Sequence, residues 1–182
     1  MNLFKTTLDG LLVLKPTVFN DNRGYFMESY NQITLNKFLG NINFVQDNES
    51  KSFKGTLRGL HFQNPPYTQS KLVRCVKGIV LDVALDLRKN SKTYGQFESV
   101  ILSDKNKKQL FIPKGFAHGF LVLSESAIFS YKVDNCYNPK SENGVIWNDP
   151  NLNIDWKIID SEIIVSEKDK SLPAFKNIIN PF

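Results

Sequence analysis

The chain reads as a mainly β protein, a small barrel or jelly roll carrying a few short helices. Three observations predict this. Period-two alternation recurs along the sequence, most clearly where Ile79, Leu81, Val83, Leu85 and Leu87 share one face while Val80, Asp82, Ala84 and Asp86 share the other. Turn-forming clusters interrupt the alternating runs at short intervals. Helical periodicity is confined to two brief stretches. Many short strands with frequent turns build sandwiches and barrels, and a small barrel can hold one ligand in its mouth.

Alternating runs occupy residues 12–19 and 24–30. Residues 31–39 suit a helix of two turns that Gly40 stops. The stretch around His61, from Thr56 to Gln63, is strand-like and carries an internal glycine, Gly59. Asn64-Pro65-Pro66 then marks a turn, 72–76 a strand, and Lys77-Gly78 the turn into the run at 79–87. After the polar turn at 90–95 come strands at 97–102 and 109–112. Pro113-Lys114-Gly115 leads to strands at 118–123 and 127–133. A second short helix opens near Ser166.

The 182 residues fit one domain with a sizeable core. Hydrophobic residues at 41% and charged residues at 23% are ordinary for a soluble globular protein. Fourteen Phe against two Met predict a rigid, aromatic core. The net charge of +5 suits an anionic ligand, yet Lys and Arg are dispersed among acids, so no nucleic-acid partner is called for. The densest basic cluster, Lys105 to Lys108, falls in a solvated turn. No apolar run approaches the ~18 residues of a membrane span, and no secretory leader is visible, so the expected location is the cytoplasm. Cys75 and Cys136 lack zinc-ligand spacing, and Cys75 is expected to be a buried free thiol.

The two histidines, His61 and His118, both sit in glycine-flanked, strand-like segments. Each reads either as a core histidine bonded to a carbonyl or as a catalytic group. Metal sites in jelly rolls usually pair two His one residue apart with a third His. That spacing is absent, which weighs against a bound metal. Arg58 would face away from His61 in a regular strand, unless Gly59 hosts a bulge that turns both toward one cavity. Its guanidinium suits phosphate oxygens or a rim ion pair. Lys71 either snorkels or neutralises a developing oxyanion. Tyr131 alternates in phase with Ala127, Phe129 and Val133, so it packs in the core or donates a proton from one wall. Ser166-Glu167-Lys168-Asp169 reads as a capping box. Asp82 and Asp86 compete with other acids as partners for His61.

Taken together, these segments resemble the dTDP-4-dehydrorhamnose 3,5-epimerase family. The likeness runs through Asp21-Asn22-Arg23-Gly24-Tyr25-Phe26-Met27-Glu28, Gln46-Asp47-Asn48, Gly55-Thr56-Leu57-Arg58-Gly59-Leu60-His61-Phe62-Gln63, Gln69-Ser70-Lys71 and Asp86-Leu87-Arg88. It continues through Ile112-Pro113-Lys114-Gly115-Phe116-Ala117-His118-Gly119-Phe120, Tyr131-Lys132, Tyr137, Trp147-Asn148-Asp149-Pro150 and Ser166-Glu167-Lys168-Asp169. Order and spacing together are specific where any one block is weak. The resemblance implies a cupin-like double-stranded β-helix, its core spanning about residues 20–140, with 141–182 packing on it as loops and short helices. It implies a general base at His61 with Asp169 as carboxylate partner, a proton donor at Tyr131 and an enolate-stabilising Lys71. His118 matches a substrate-contacting position, and Arg23, Phe26, Glu28, Gln46, Asn48, Arg58, Tyr137, Glu142 and Lys168 match nucleotide-sugar binding positions. It also implies a homodimer in which an N-terminal strand reaches the neighbouring site, and chemistry without a metal or nicotinamide cofactor. A single-centre epimerase at C3 or C5, an epimerase acting on another nucleotide-linked 4-keto sugar, a metal-dependent cupin and a non-catalytic sugar-binding jelly roll are the competing readings.

Overall fold

A computed structural model describes residues 1–158 and 162–182. Two antiparallel sheets face each other. In the first, β1 (Asn2–Lys5), β2 (Leu12–Lys15), β10 (Gln109–Ile112), β7 (Lys71–Lys77), β12 (Ser126–Val133) and β5 (Gln46–Phe53) lie side by side in that order. In the second the order is β13 (Glu142–Gly144), β6 (Thr56–Gln63), β11 (Phe116–Val122), β8 (Ile79–Asp86) and β9 (Phe97–Ser103). The short β14 (Ile164–Val165) adds to β6 in parallel. From β5 to β13 each strand crosses to the other sheet from the one before it, apart from the β8–β9 hairpin, so the chain winds as a jelly roll of the cupin-like kind. A hairpin of β3 (Val18–Asp21) and β4 (Gly24–Met27) stands apart from both sheets.

Several elements match the alternation, and others show where it misleads. The expected strand at 12–19 is broken at Pro16, which fixes φ and offers no N–H to a ladder. The run at 24–30 keeps strand structure only to Met27. The sheets also extend beyond 20–140, taking β1 and β2 from the N-terminus and β13 from 142–144. Strand β5 escaped the hydrophobic reading because its inward row is Gln46, Asn48, Ser50 and Ser52. Those residues pair across from the inward Val133, Tyr131, Phe129 and Ala127 of β12. A wall that faces a polar cavity carries no apolar period.

Strand β8 is buried on both faces. Its Val80 and Ala84 join Val73, Phe120 and Phe129 between the sheets. Leu81, Val83, Leu85 and Leu87 face outward from the sandwich, where Leu152, Trp156, Phe175 and Phe182 of the C-terminal segment cover them. The strongly apolar face is therefore not the inner one, and the face bearing Asp82 looks inward. Each of these fully buried Leu side chains is worth ~1.5–3 kcal/mol relative to exposure, so the C-terminal segment is an integral layer.

Helix α1 (Gln32–Leu39) starts where the Asn31 side chain accepts from the Thr34 N–H at 3.0 Å and ends at Gly40, as expected. Leu35 anchors it against Leu14, Leu72 and Phe111. Helix α2 (Glu167–Lys170) is capped by Ser166 Oγ, which accepts from the Asp169 N–H at 3.1 Å. Both cysteines are free thiols, Cys75 buried and Cys136 exposed. Among the described residues no helix is long and apolar enough to cross a membrane.

Candidate active site

The bulge foreseen at Gly59 is present. His61 of β6 pairs with His118 of β11, whereas Arg58 pairs with Phe120, so three steps on β6 oppose two on β11. Gly59 has φ +124°, and a Cβ there would lie 2.5 Å from the Gly119 Cα, so both the conformation and the close approach require glycine. The extra residue turns Arg58 and His61 onto the same cavity, of about 400 Å³.

Lys71, His118, Tyr131 and Asp169 line that cavity with them. His61 and His118 come from the second sheet; Lys71 and Tyr131 come from the first. An adjoining lobe of about 310 Å³ shares His61, Lys71 and Tyr131 and adds Gln46, Asn48, Tyr137 and Glu142. Lys168 reaches this lobe through its ion pair with Glu142.

His61 Nε2 lies 2.7 Å from Asp169 Oδ1, and the other carboxylate oxygen accepts from the Gly59 N–H at 3.2 Å. Neither Asp82 nor Asp86 partners His61: Asp82 holds His118, and Asp86 holds Arg88. Burial raises the Asp169 pKa, but its bonds to His61 and to the Gly59 amide outweigh this, so the carboxyl lies below the usual range and is ionised. An ionised carboxylate can only accept, so Nε2 of neutral His61 carries the proton and Nδ1 carries the lone pair. The box expected at Ser166 is only half made. The backbone of Asp169 is capped, while its side chain serves His61 instead of closing back on the cap.

Burial pushes the Lys71 ammonium down to about 8, against the pull of Asp82 and Glu142. Among the described residues neither Lys71 nor Arg58 forms an ion pair. Both are cations available to a ligand. His118 is almost wholly buried; burial lowers its pKa despite Asp82, whose two oxygens both stand 3.0 Å from Nε2. It is therefore a neutral imidazole beside Lys71. Burial raises the Tyr131 phenol, with Arg58 opposing, so the hydroxyl keeps its proton at neutral pH. The Tyr137 hydroxyl donates to Glu142, which pushes the phenol up to about 12.

The hairpin residues behave differently. Arg23 has 86% of its side chain exposed and pairs with Asp21, Phe26 is exposed, and Glu28 accepts from the Asn31 amide. None of the three lines the cavity of its own chain. Sequence reasoning kept Asp82 as a competing partner for His61 and did not foresee its bond to His118, because the register that sets His118 against Ala84 of β8 has no local signature. Among the described residues no group of three or more His, Cys, Asp or Glu side chains converges as metal ligands does.

A carboxylate-backed imidazole on one sheet, and a protonated phenol and a desolvated ammonium on the other, define a cupin-like enzyme of the general acid–base class. Comparison with known proteins narrows this. The family model for dTDP-4-dehydrorhamnose 3,5-epimerase matches residues 5–177, and the chain belongs to that family. The dTDP-4-dehydrorhamnose 3,5-epimerase of Escherichia coli K12 is 51% identical over 98% of this chain and 97% of its own length. The crystal structure of the Elizabethkingia anophelis enzyme of that name superposes with a TM-score of 0.94 at 53% identity, covering 99% of this chain and 98% of its own. The dTDP-6-deoxy-D-glucose-3,5-epimerase of Legionella pneumophila, solved with dTDP-4-keto-L-rhamnose, gives 0.93 at 46% identity over 97% and 94% of the two chains.

Proposed function

We propose that this chain inverts C3 and C5 of dTDP-4-dehydro-6-deoxyglucose to give dTDP-4-dehydrorhamnose. The observation that carries the reading is that His61 and Tyr131 reach one cavity from opposite sheets. Inverting a carbon by proton transfer needs a base on one face of the ring and a donor on the other.

The C4 ketone acidifies the protons on C3 and C5. His61 Nδ1 takes one of them, and Asp169, 2.7 Å from the other ring nitrogen, stabilises the imidazolium that forms. The electron pair moves onto O4, where the Lys71 ammonium meets the enolate charge, with His118 forming the cavity wall beside it. Tyr131 gives a proton to the opposite face of the same carbon and recovers one from solvent, to which His61 returns the proton it took. Nothing is oxidised or reduced across this cycle. General acid–base transfer supplies ~10²–10⁴-fold, and charge stabilisation and positioning supply the rest.

Arg58 grips the pyrophosphate with its unpaired guanidinium. Gln46, Asn48, Tyr137, Glu142 and Lys168 bind the remainder of the nucleotide-sugar in the adjoining lobe. Arg23, Phe26 and Glu28 serve the site of a second subunit in a homodimer, which accounts for their exposure on and just after a detached hairpin. The free thiols of Cys75 and Cys136 suit a reducing compartment, the cytoplasm.

Incubation in D₂O with dTDP-4-dehydro-6-deoxyglucose, followed by NMR, tests the reading. Deuterium should enter at both C3 and C5 as the product accumulates. A folded protein that exchanges neither position would refute it.

A further inference from the structure

Strands β5 and β6 belong to different sheets and meet at the tight corner Lys54-Gly55, beside the cavity. One side-chain bond crosses that corner: Arg58 Nε donates to Ser52 Oγ at 3.1 Å. Ser52 is buried on the inward row of β5, opposite Ala127 of β12. Arg58 is otherwise exposed and has no carboxylate partner among the described residues.

We infer that Ser52 is a positioning residue, clamping the Arg58 guanidinium across the cavity mouth so that its two terminal amino groups face a diphosphate. This rests on the nucleotide-sugar reading above and adds to it a residue that touches neither substrate nor reacting atoms. The argument is one of preorganisation. An arginine has a long stem, and immobilising it on binding costs rotamer entropy. A bond at Nε restricts the stem beforehand and leaves the Nη pair, which is the edge suited to two phosphate oxygens at once. Because Ser52 is held by the first sheet and Arg58 by the second, the clamp also ties the cation to the wall that carries Tyr131.

The test is a double-mutant cycle read by calorimetric titration with thymidine diphosphate and with inorganic pyrophosphate, alongside steady-state turnover of the sugar nucleotide. Ser52→Ala should weaken binding of both probes by about 2- to 10-fold, the worth of one net hydrogen bond. KM should rise in step while kcat holds, because His61, Asp169, Lys71 and Tyr131 are untouched. Ser52→Thr keeps the hydroxyl and should restore affinity. In an Arg58→Ala background, Ser52→Ala should have no further effect, since the residue it positions is gone. Should Ser52→Ala fold poorly, Ser52→Cys, similar in size but a weak acceptor, carries the same expectations. Affinity equal to wild type in Ser52→Ala or Ser52→Cys, or full additivity with Arg58→Ala, overturns the inference alone. A folded wild-type protein that binds neither probe overturns it together with the proposed function.

Discussion

Replacing Asp169 by Asn isolates what the carboxylate does for His61. The substitution preserves shape, and the amide can still accept from the Gly59 N–H that now stands 3.2 Å from Oδ2. What disappears is the negative charge 2.7 Å from His61 Nε2. That charge matters little while the imidazole is neutral and most when the ring has taken a proton from carbon. A charge-assisted hydrogen bond is worth about 1.5–3 kcal/mol. At 1.4 kcal/mol per decade, kcat for inversion and the rate of deuterium entry at C3 and C5 should both fall by about 10- to 150-fold. The folded carboxyl has a lowered pKa. Its stabilising effect is therefore present above the unfolded value of about 3.9 and fades as pH falls through the lower folded value. The variant should lack this part of the acid dependence, which thermal unfolding at a series of pH values would register. The primary assay is NMR exchange in D₂O on protein shown to be folded by near-UV circular dichroism. Exchange within about twofold of wild type would refute the imidazolium argument and reduce Asp169 to an anchor for the Gly59 amide.

Tyr131→Phe removes the phenol but keeps the ring packed near Phe129; net inversion should drop by about 10²–10⁴-fold while solvent exchange at C3 or C5 persists through His61, and equal loss of both would count against a purely donating role. Lys71 should be needed as an ammonium, so turnover should decline as pH rises through about 8. Stability should move the opposite way over the range from about 8 to the ordinary lysine value of 10.5, because the folded chain releases that proton first; Lys71→Met should abolish this alkaline limb and lower kcat by about 10²–10³-fold. A homodimer should be seen by light scattering, with an interface above ~1,000 Å². Mixing inactive Arg23→Ala and His61→Asn chains should restore activity, because one site of each mixed dimer would carry neither lesion, and no recovery despite demonstrated subunit exchange would remove the shared site.

The local grammar of the chain was legible without coordinates wherever it was local. Asn31 and Gly40 bound α1, Ser166 opens α2, and Gly59 permits the bulge, because caps and positive φ depend on a few adjacent atoms. The β class followed from period-two alternation, and the choice of His61, Lys71, Tyr131 and Asp169 followed from ordered motifs that resemble a family. Sheet assignment was not legible. The inward row of β5 is polar because it faces a cavity, and the apolar face of β8 points outward because residues far along the chain return to cover it. Alternation reports that two faces differ, and cannot report what will lie against either of them. The pairing of acids with histidines is the sharpest case. Residue chemistry left Asp82 and Asp86 as competitors and read Asp169 as part of a capping box; only the family resemblance pointed to Asp169. Register across β6, β11 and β8, and the placement of α2 beside Gly59, gave Asp169 to His61 and Asp82 to His118. Hydrogen bonds between residues 36 and 108 positions apart are fixed by where strands pair and layers pack, which is a property of the assembled chain and not of any stretch of it.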